Sequence, residues 1–266
     1  MSRDRAEAGT RARPEAERET PRRDRERRDR PGIDERAEGA LRDAGAYRVV
    51  AVKDLIDCRF GGNRFAAMAT LRRLERDGLL RIAKAQGPRG GEFQVAGLTV
   101  RGRQRLEASG GEQRWWTGRL DVRQSSHDAA VYRAAAAEEA RIDEAGGRVT
   151  RVRIDAEFRS IVARRVEKAR AEGGAAAAEA EADRLAGELG LSREGGKFHY
   201  PDARIEYVDD QGRTGGVDVE VTTAHYRRKA IRAKASAGMA LHAPRRAAPP
   251  PRGPPIRGRL KNYQPT

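Results

Sequence analysis

Apolar residues recur at every third position along Phe65, Met68, Leu71 and Leu74, with Arg64, Arg72, Arg73 and Arg76 in the places between. That spacing predicts an amphipathic helix from Asn63 to Asp77, packed on a small core through its apolar side and basic on the other. Asp77-Gly78 ends it, the glycine suiting a left-handed cap. Two shorter helices are predicted before it, Asp34 to Ala46 and Val52 to Cys58, with Gly61-Gly62 as the turn between the second and third. Leu79-Leu80-Arg81-Ile82 and Glu92-Phe93-Gln94-Val95 predict two short strands, joined by a glycine-rich loop that carries Arg89.

Beyond Trp115-Trp116 the pattern predicts a helix from His127 to Ala145, with Ser125 or Ser126 as its cap and Gly146-Gly147 as its stop. Val149 to Ile154 alternates as a strand does, and Glu157 to about Leu189 predicts a long helix loosened at Gly173-Gly174. Pro201-Asp202-Ala203-Arg204-Ile205-Glu206-Tyr207 and Val217-Asp218-Val219-Glu220-Val221-Thr222 predict two adjoining strands. Asp218 and Glu220 then share one face while Val217, Val219 and Val221 line the other. A basic helix is predicted from His225 to about Leu241, its apolar stripe made by Tyr226, Ala230, Ala233, Ala237 and Leu241, with Lys229 and Lys234 bordering that stripe. No clear strand follows Leu241. Helices alternating with strands in this way predict an α/β (α+β) fold.

Composition changes the picture at the ends of the chain. Of the 266 residues 36% are charged and only 5% aromatic, so material for a large core is limited. Residues 1–32 are an Arg/Asp/Glu mixture and residues 244–266 are rich in Pro and Arg, with six basic residues and no acid; both predict disordered tails. Between them lie an amino-terminal module over 33–110, a linker over 111–126 and a carboxy-terminal module over 127–243. The net charge of +15 points first to nucleic acid as partner. No apolar run reaches the length of a membrane span and the basic N-terminus lacks a signal-peptide core, so no membrane partner and a cytoplasmic location are expected. A single cysteine, Cys58, agrees with a reducing compartment, and its neighbours Ile56 and Phe60 suggest a small buried residue.

The candidate chemistry follows from two groups of residues. Arg64, Arg72, Arg73 and Arg76 on the third helix, with Arg89 in the loop, suit phosphates or guanine edges of double-stranded DNA; the alternative is that they are solvated and the module serves protein contacts. Asp202, Asp218 and Glu220 beside a helical lysine, Lys234 or Lys229, suit a divalent metal, Mg2+, held against a phosphodiester. The alternative is a hairpin whose acids face solvent. Glu138, on the helix predicted from His127, reads from the residues as a solvated helix acid. Trp115 and Trp116 are expected to pack where the modules join, or else to stack on bases. The spacing of His127, His199, His225 and His242 makes no zinc site.

The run Leu98-Thr99-Val100-Arg101-Gly102-Arg103-Gln104-Arg105-Leu106 resembles the return helix of winged-helix regulators, which implies a helix-turn-helix with a wing at Arg89. Pro201-Asp202, then Asp218-x-Glu220, then a helical lysine resembles the PD-(D/E)XK nuclease-like core. There the first aspartate and the second acid bind magnesium, a lysine steadies water or phosphate, and the first helix often supplies another acid, for which the resemblance makes Glu138 the candidate; this chain has Glu220 where the lysine usually stands. Together with His127-Asp128 opening a helix, the combination over roughly 33–241 is similar to the replication-relaxation family of plasmids and integrative elements. That resemblance implies DNA handling in plasmid replication or transfer, beside replication or conjugation proteins and in a homodimer. It implies either a DNA-binding accessory with a degenerate nuclease fold or an active magnesium-dependent endonuclease or nickase.

Overall fold

A computed structural model describes residues 33–87, 91–117, 125–222 and 239–242, and within it the described residues from Glu35 onward belong to one compact unit. The fold is mixed α/β, with one mixed sheet among the described residues. Helix α1 (Glu35–Ala46), the short strand β1 (Val50–Ala51), α2 (Val52–Phe60) and α3 (Arg64–Arg76) come first, followed by β2 (Leu80–Gln86), β3 (Glu92–Leu98) and α4 (Val100–Glu107). The three strands form an antiparallel sheet in the order β1-β3-β2. Gly61 and Gly62, at φ 58° and 80°, make the tight turn between α2 and α3 that a side chain would strain. Asn63 Oδ1 then accepts the Ala66 N–H at 3.0 Å and starts α3.

The interior of this half is built by Leu41, Leu55, Leu71, Leu74, Leu80 and Leu106, each almost wholly buried. The predicted apolar side of α3 needs correction. Its buried residues are Ala67, Leu71 and Leu74, and Phe65 is 89% exposed. The reason is helical geometry: each step of three residues falls short of a full turn by about 60°, so three such steps carry Leu74 to the opposite side from Phe65. Cys58 is exposed as well, not buried, because it lies one turn beyond Asp54 at the rim of the contact between α2 and the later helix Ser125–Glu144, beside the Tyr132 hydroxyl.

Gly102 explains the Leu-Thr-x-x-Gly run in packing terms. Thr99 caps α4 by accepting the Gly102 N–H at 3.0 Å and donates its hydroxyl to Gly78 O at 2.6 Å. A Cβ on Gly102 would lie 2.2 Å from Leu79 O, so only glycine permits the helix to come this close to the start of β2.

In the second half, α5 (Ser125–Glu144) packs on a four-stranded sheet of order β4-β7-β8-β9. Its strands are β4 (Arg148–Ile154), β7 (Ala203–Val208), β8 (Thr214–Val221) and β9 (Ala240–His242). The first three pair antiparallel and β9 runs parallel to β8. Between β4 and β7 lie α6 (Asp155–Glu188) and a small hairpin, β5 (Ser192–Glu194) with β6 (Lys197–His199). Gly174, at φ 74°, breaks α6 into two arms. The arms fold back on each other, with Arg165 of the first bonded to Glu181 and Glu188 of the second, both at 2.8 Å. Phe158, Val162 and Leu185 form a core between them with Leu189 and Leu191.

Strand β9 corrects the expected carboxy-terminal pattern. The helix predicted to about Leu241 lies largely outside the described residues, but Ala240–His242 is a strand, and Leu241 pairs with Glu220. A parallel neighbour needs a long connection, and so local periodicity cannot reveal the pairing. No helix among the described residues is long and apolar enough to cross a membrane.

The halves are joined by buried polar contacts. Asp43 of α1 accepts two bonds from Arg59 of α2, at 2.7 and 2.6 Å, and a third from the Tyr132 hydroxyl of α5 at 2.7 Å. Tyr47 donates to Glu139 of α5 at 2.6 Å, and Arg133 of α5 forks onto buried Asp54 of α2 at 3.1 and 2.9 Å. Burial, with the charge of Asp43 added, holds the Glu139 carboxyl above its ordinary value. The tryptophans are half-buried here: Trp115 lies against Gly45, and Trp116 donates its backbone N–H to Gly45 O at 2.7 Å and sits under the Arg114 guanidinium.

Candidate nucleic-acid interface and carboxylate site

Helix α3 presents one continuous outer stripe. Phe65, Ala69, Arg72 and Arg76 are exposed at spacings of four, three and four, opposite the buried Ala67, Leu71 and Leu74. Arg64 is exposed beside Phe65, whereas Arg73 is half-buried at the edge of the stripe. Arg89 lies outside the described residues. Next to that loop, Lys84 of β2 and Glu92 of β3 form an exposed ion pair at 2.9 Å.

Sheet register decides what the acids do. Arg204 stands opposite Asp218 and Ala203 opposite Val219, so Asp202 and Glu220 come next on the same face as the Arg204–Asp218 pair. Arg204 grips Asp218 with both ends of its guanidinium, at 2.5 and 2.7 Å. The same guanidinium donates to Leu189 O and Gly190 O and lies over the Phe158 ring. This is a closed structural contact, and a bidentate pair of this kind is among the stronger hydrogen-bonded arrangements.

Asp202 and Glu220 occupy the deeper end. Asp202 Oδ2 accepts the Val221 N–H at 2.8 Å, and Oδ1 lies 3.2 Å from His127 Nε2. Glu220 is wholly buried, so the reading of these acids as a solvent face fails for it, and Asp218 is only partly exposed. Strand β8 is covered on both faces at this end: Val219, Glu220 and Val221 are all buried. The His127 imidazole is held above its ordinary pKa first by the hydrogen bond to Asp202, with the charges of Asp202, Asp128 and Glu220 adding and burial opposing.

Arg48 reaches this corner from the amino-terminal half. Its guanidinium lies 3.2 Å from Asp128 and 3.9 Å from Asp155, and these side chains line a small cleft with Tyr47, His127 and Asp202. Burial raises the Asp128 carboxyl, against the pull of Arg48 and His127. Farther along α5, buried Glu138 faces His242 of β9 at 3.0 Å and Arg141 at 2.5 Å; it is not a solvated helix residue. Lys229 and Lys234 lie outside the described residues.

The structure thus gathers Asp202, Glu220 and His127, while Asp218 turns to Arg204. Among the described residues there is no group of three or more His, Cys, Asp or Glu side chains arranged to hold a metal ion. As placed, Asp202, Asp218 and Glu220 do not make one ligand set: both Asp218 oxygens are bonded to Arg204, and both Asp202 oxygens face protein donors. Sequence reading overlooks Arg204 and Arg48. The signal for Arg204 is the Asp209-to-Arg213 turn, which sets it across from Asp218; Arg48 carries no local signal, because its partners lie in the other half of the chain. In comparisons with known proteins, the chain matches no family profile, no curated protein and no solved structure.

Proposed function

We propose that this chain is a double-stranded-DNA-binding protein of the replication-relaxation type, acting in the replication or transfer of a mobile element. Its amino-terminal half works as a winged helix and its carboxy-terminal half as a PD-(D/E)XK-like scaffold. The observation that carries the reading is the outer stripe of α3. A helix whose inner face is fully used by Ala67, Leu71 and Leu74 presents Arg72 and Arg76 in line on a chain of net charge +15. The order of helices and strands around it, with a glycine-rich loop between β2 and β3, supports the same reading.

The test is a salt titration of duplex DNA binding by fluorescence anisotropy, comparing the unaltered chain with Arg72→Ala/Arg76→Ala. If both arginines meet phosphates, the slope of log K against log salt falls by about 0.9 for each phosphate that is no longer neutralised. An unchanged affinity and slope would remove α3 as the DNA-contacting element.

A magnesium-dependent endonuclease or nickase is the second reading. It is favoured by the placing of Asp202, just before β7, beside Glu220 of β8 in a sheet whose last strand is parallel to β8, with His127 against Asp202. Nicking of supercoiled plasmid in magnesium or manganese, absent from Asp202→Asn, would support it. No nicking by a chain that binds the plasmid would leave the DNA-binding role.

A further inference from the structure

Phe65 has no structural task in the fold. It is 89% exposed on the first turn of α3, and only it and Val100 are large exposed hydrophobics among the described residues. Its neighbours on the stripe are Ala69, which is small, and then Arg72 and Arg76. From Phe65 to Arg76 the helix rises by about 16 Å, so one end of the stripe is apolar and the other cationic.

This gradient fits the major groove of DNA better than a protein surface. The stripe carries Arg72 and Arg76 and no acid, on a chain of net charge +15, which complements the phosphate charge along a duplex. Within the groove the exposed apolar group of a base pair is the 5-methyl of thymine, and phenylalanine, which has no donor or acceptor, discriminates only by such contact. Resting on the DNA-binding reading above, we infer that Phe65 is the specificity-determining side chain of α3 and reads thymine through its methyl group, while Arg72 and Arg76 fix the helix on the backbone.

The experiment works on a binding site that it selects for itself. Duplexes with a randomised core are selected on the unaltered protein, and the enriched pool is amplified with either dTTP or dUTP, a change that deletes every thymine methyl. Burying one methyl corresponds to about a fourfold change in affinity. The unaltered chain is therefore expected to bind the thymine pool at least about fourfold more tightly than the uracil pool, and Phe65→Ala to bind both alike. Because Phe65 packs against little, Phe65→Ala should keep its thermal midpoint.

Equal binding of the two pools by the unaltered chain overturns the inference, as does a Phe65→Ala protein that keeps the preference. If both pools bind equally and binding is abolished in Arg72→Ala/Arg76→Ala, the DNA-binding reading stands and only the role of Phe65 falls. If neither pool binds, the DNA-binding reading itself fails. If Phe65→Ala leaves DNA binding unchanged but shifts the sedimentation of the protein, the ring serves a protein contact, which also overturns the proposal.

Discussion

Replacing Arg59 with methionine removes the cation from the contact that joins α1, α2 and α5 but keeps most of the side chain's apolar length. In the native fold Asp43 is almost fully buried and accepts two bonds from Arg59 and one from Tyr132, with Glu139 3.6 Å from the same guanidinium. After the change the Asp43 carboxylate stays buried with a single neutral donor. Removing one member of a buried pair costs about 3–5 kcal/mol. Arg59 is 37% exposed, so water screens part of the attraction, and about 3 kcal/mol is the expected destabilisation. That is a large share of the ~5–15 kcal/mol that keeps a domain folded, yet leaves the variant measurable. Urea unfolding followed by far-ultraviolet circular dichroism reads it as a shift in midpoint with little change in slope. The triple change Asp43→Leu/Arg59→Met/Tyr132→Phe removes the orphaned groups together and is expected to recover most of the stability, because an apolar replacement of a buried pair is often neutral. A destabilisation below about 1 kcal/mol in Arg59→Met would refute the reasoning, since that is the size of an ordinary surface pair.

Two further outcomes are expected. Gly102→Ala should destabilise the chain by about 1–3 kcal/mol, the usual cost of forcing an added methyl into a packed site, because the new Cβ would meet Leu79 O at 2.2 Å and Leu98 Cδ1 at 2.6 Å; a midpoint unchanged in urea would show that the close approach relaxes freely. His127 is a histidine whose folded pKa is raised, so its contribution to stability is present below about pH 6.5 and is lost as pH rises through the higher folded value. The unaltered chain should therefore lose stability over that range relative to His127→Gln; parallel pH profiles of the two proteins would remove the His127–Asp202 contact as a stabilising pair. His127 keeps 43% of its side-chain exposure, so the effect is modest.

Element boundaries were legible in the sequence wherever a local signal set them. Asn63 starting α3, Thr99 starting α4 and Gly174 interrupting α6 are each decided by hydrogen bonds or φ values within a turn of the residue itself. Faces were less legible. A spacing of three puts Phe65 in line with Leu74 on paper, but rotation carries them apart, and only the packing of α3 shows which end of the drifting row is inside. The hairpin of β5 and β6 had a signal in Gly195-Gly196, both at positive φ, but strands of three residues leave no alternation to read. For the candidate site, the nearness of Asp202 and Glu220 follows from pairing two adjacent strands. The capture of Asp218 by Arg204 follows once the turn between those strands fixes the register, whereas that of Asp128 by Arg48 does not, because the two lie 80 residues apart in sequence.

The contacts between α5 and the first two helices have a consequence for anything held on α3. Asp54 and Asp43 sit on α2 and α1, the elements against which α3 packs, and their cationic and phenolic partners include Arg133 and Tyr132 of α5. Buried charge tolerates little sliding, since each ångström of slip leaves a carboxylate without a donor. If α3 takes the DNA-binding role proposed above, a duplex lying along its outer stripe would keep one bearing relative to α5, as a workpiece is held in a vice, instead of swivelling like cargo on a string.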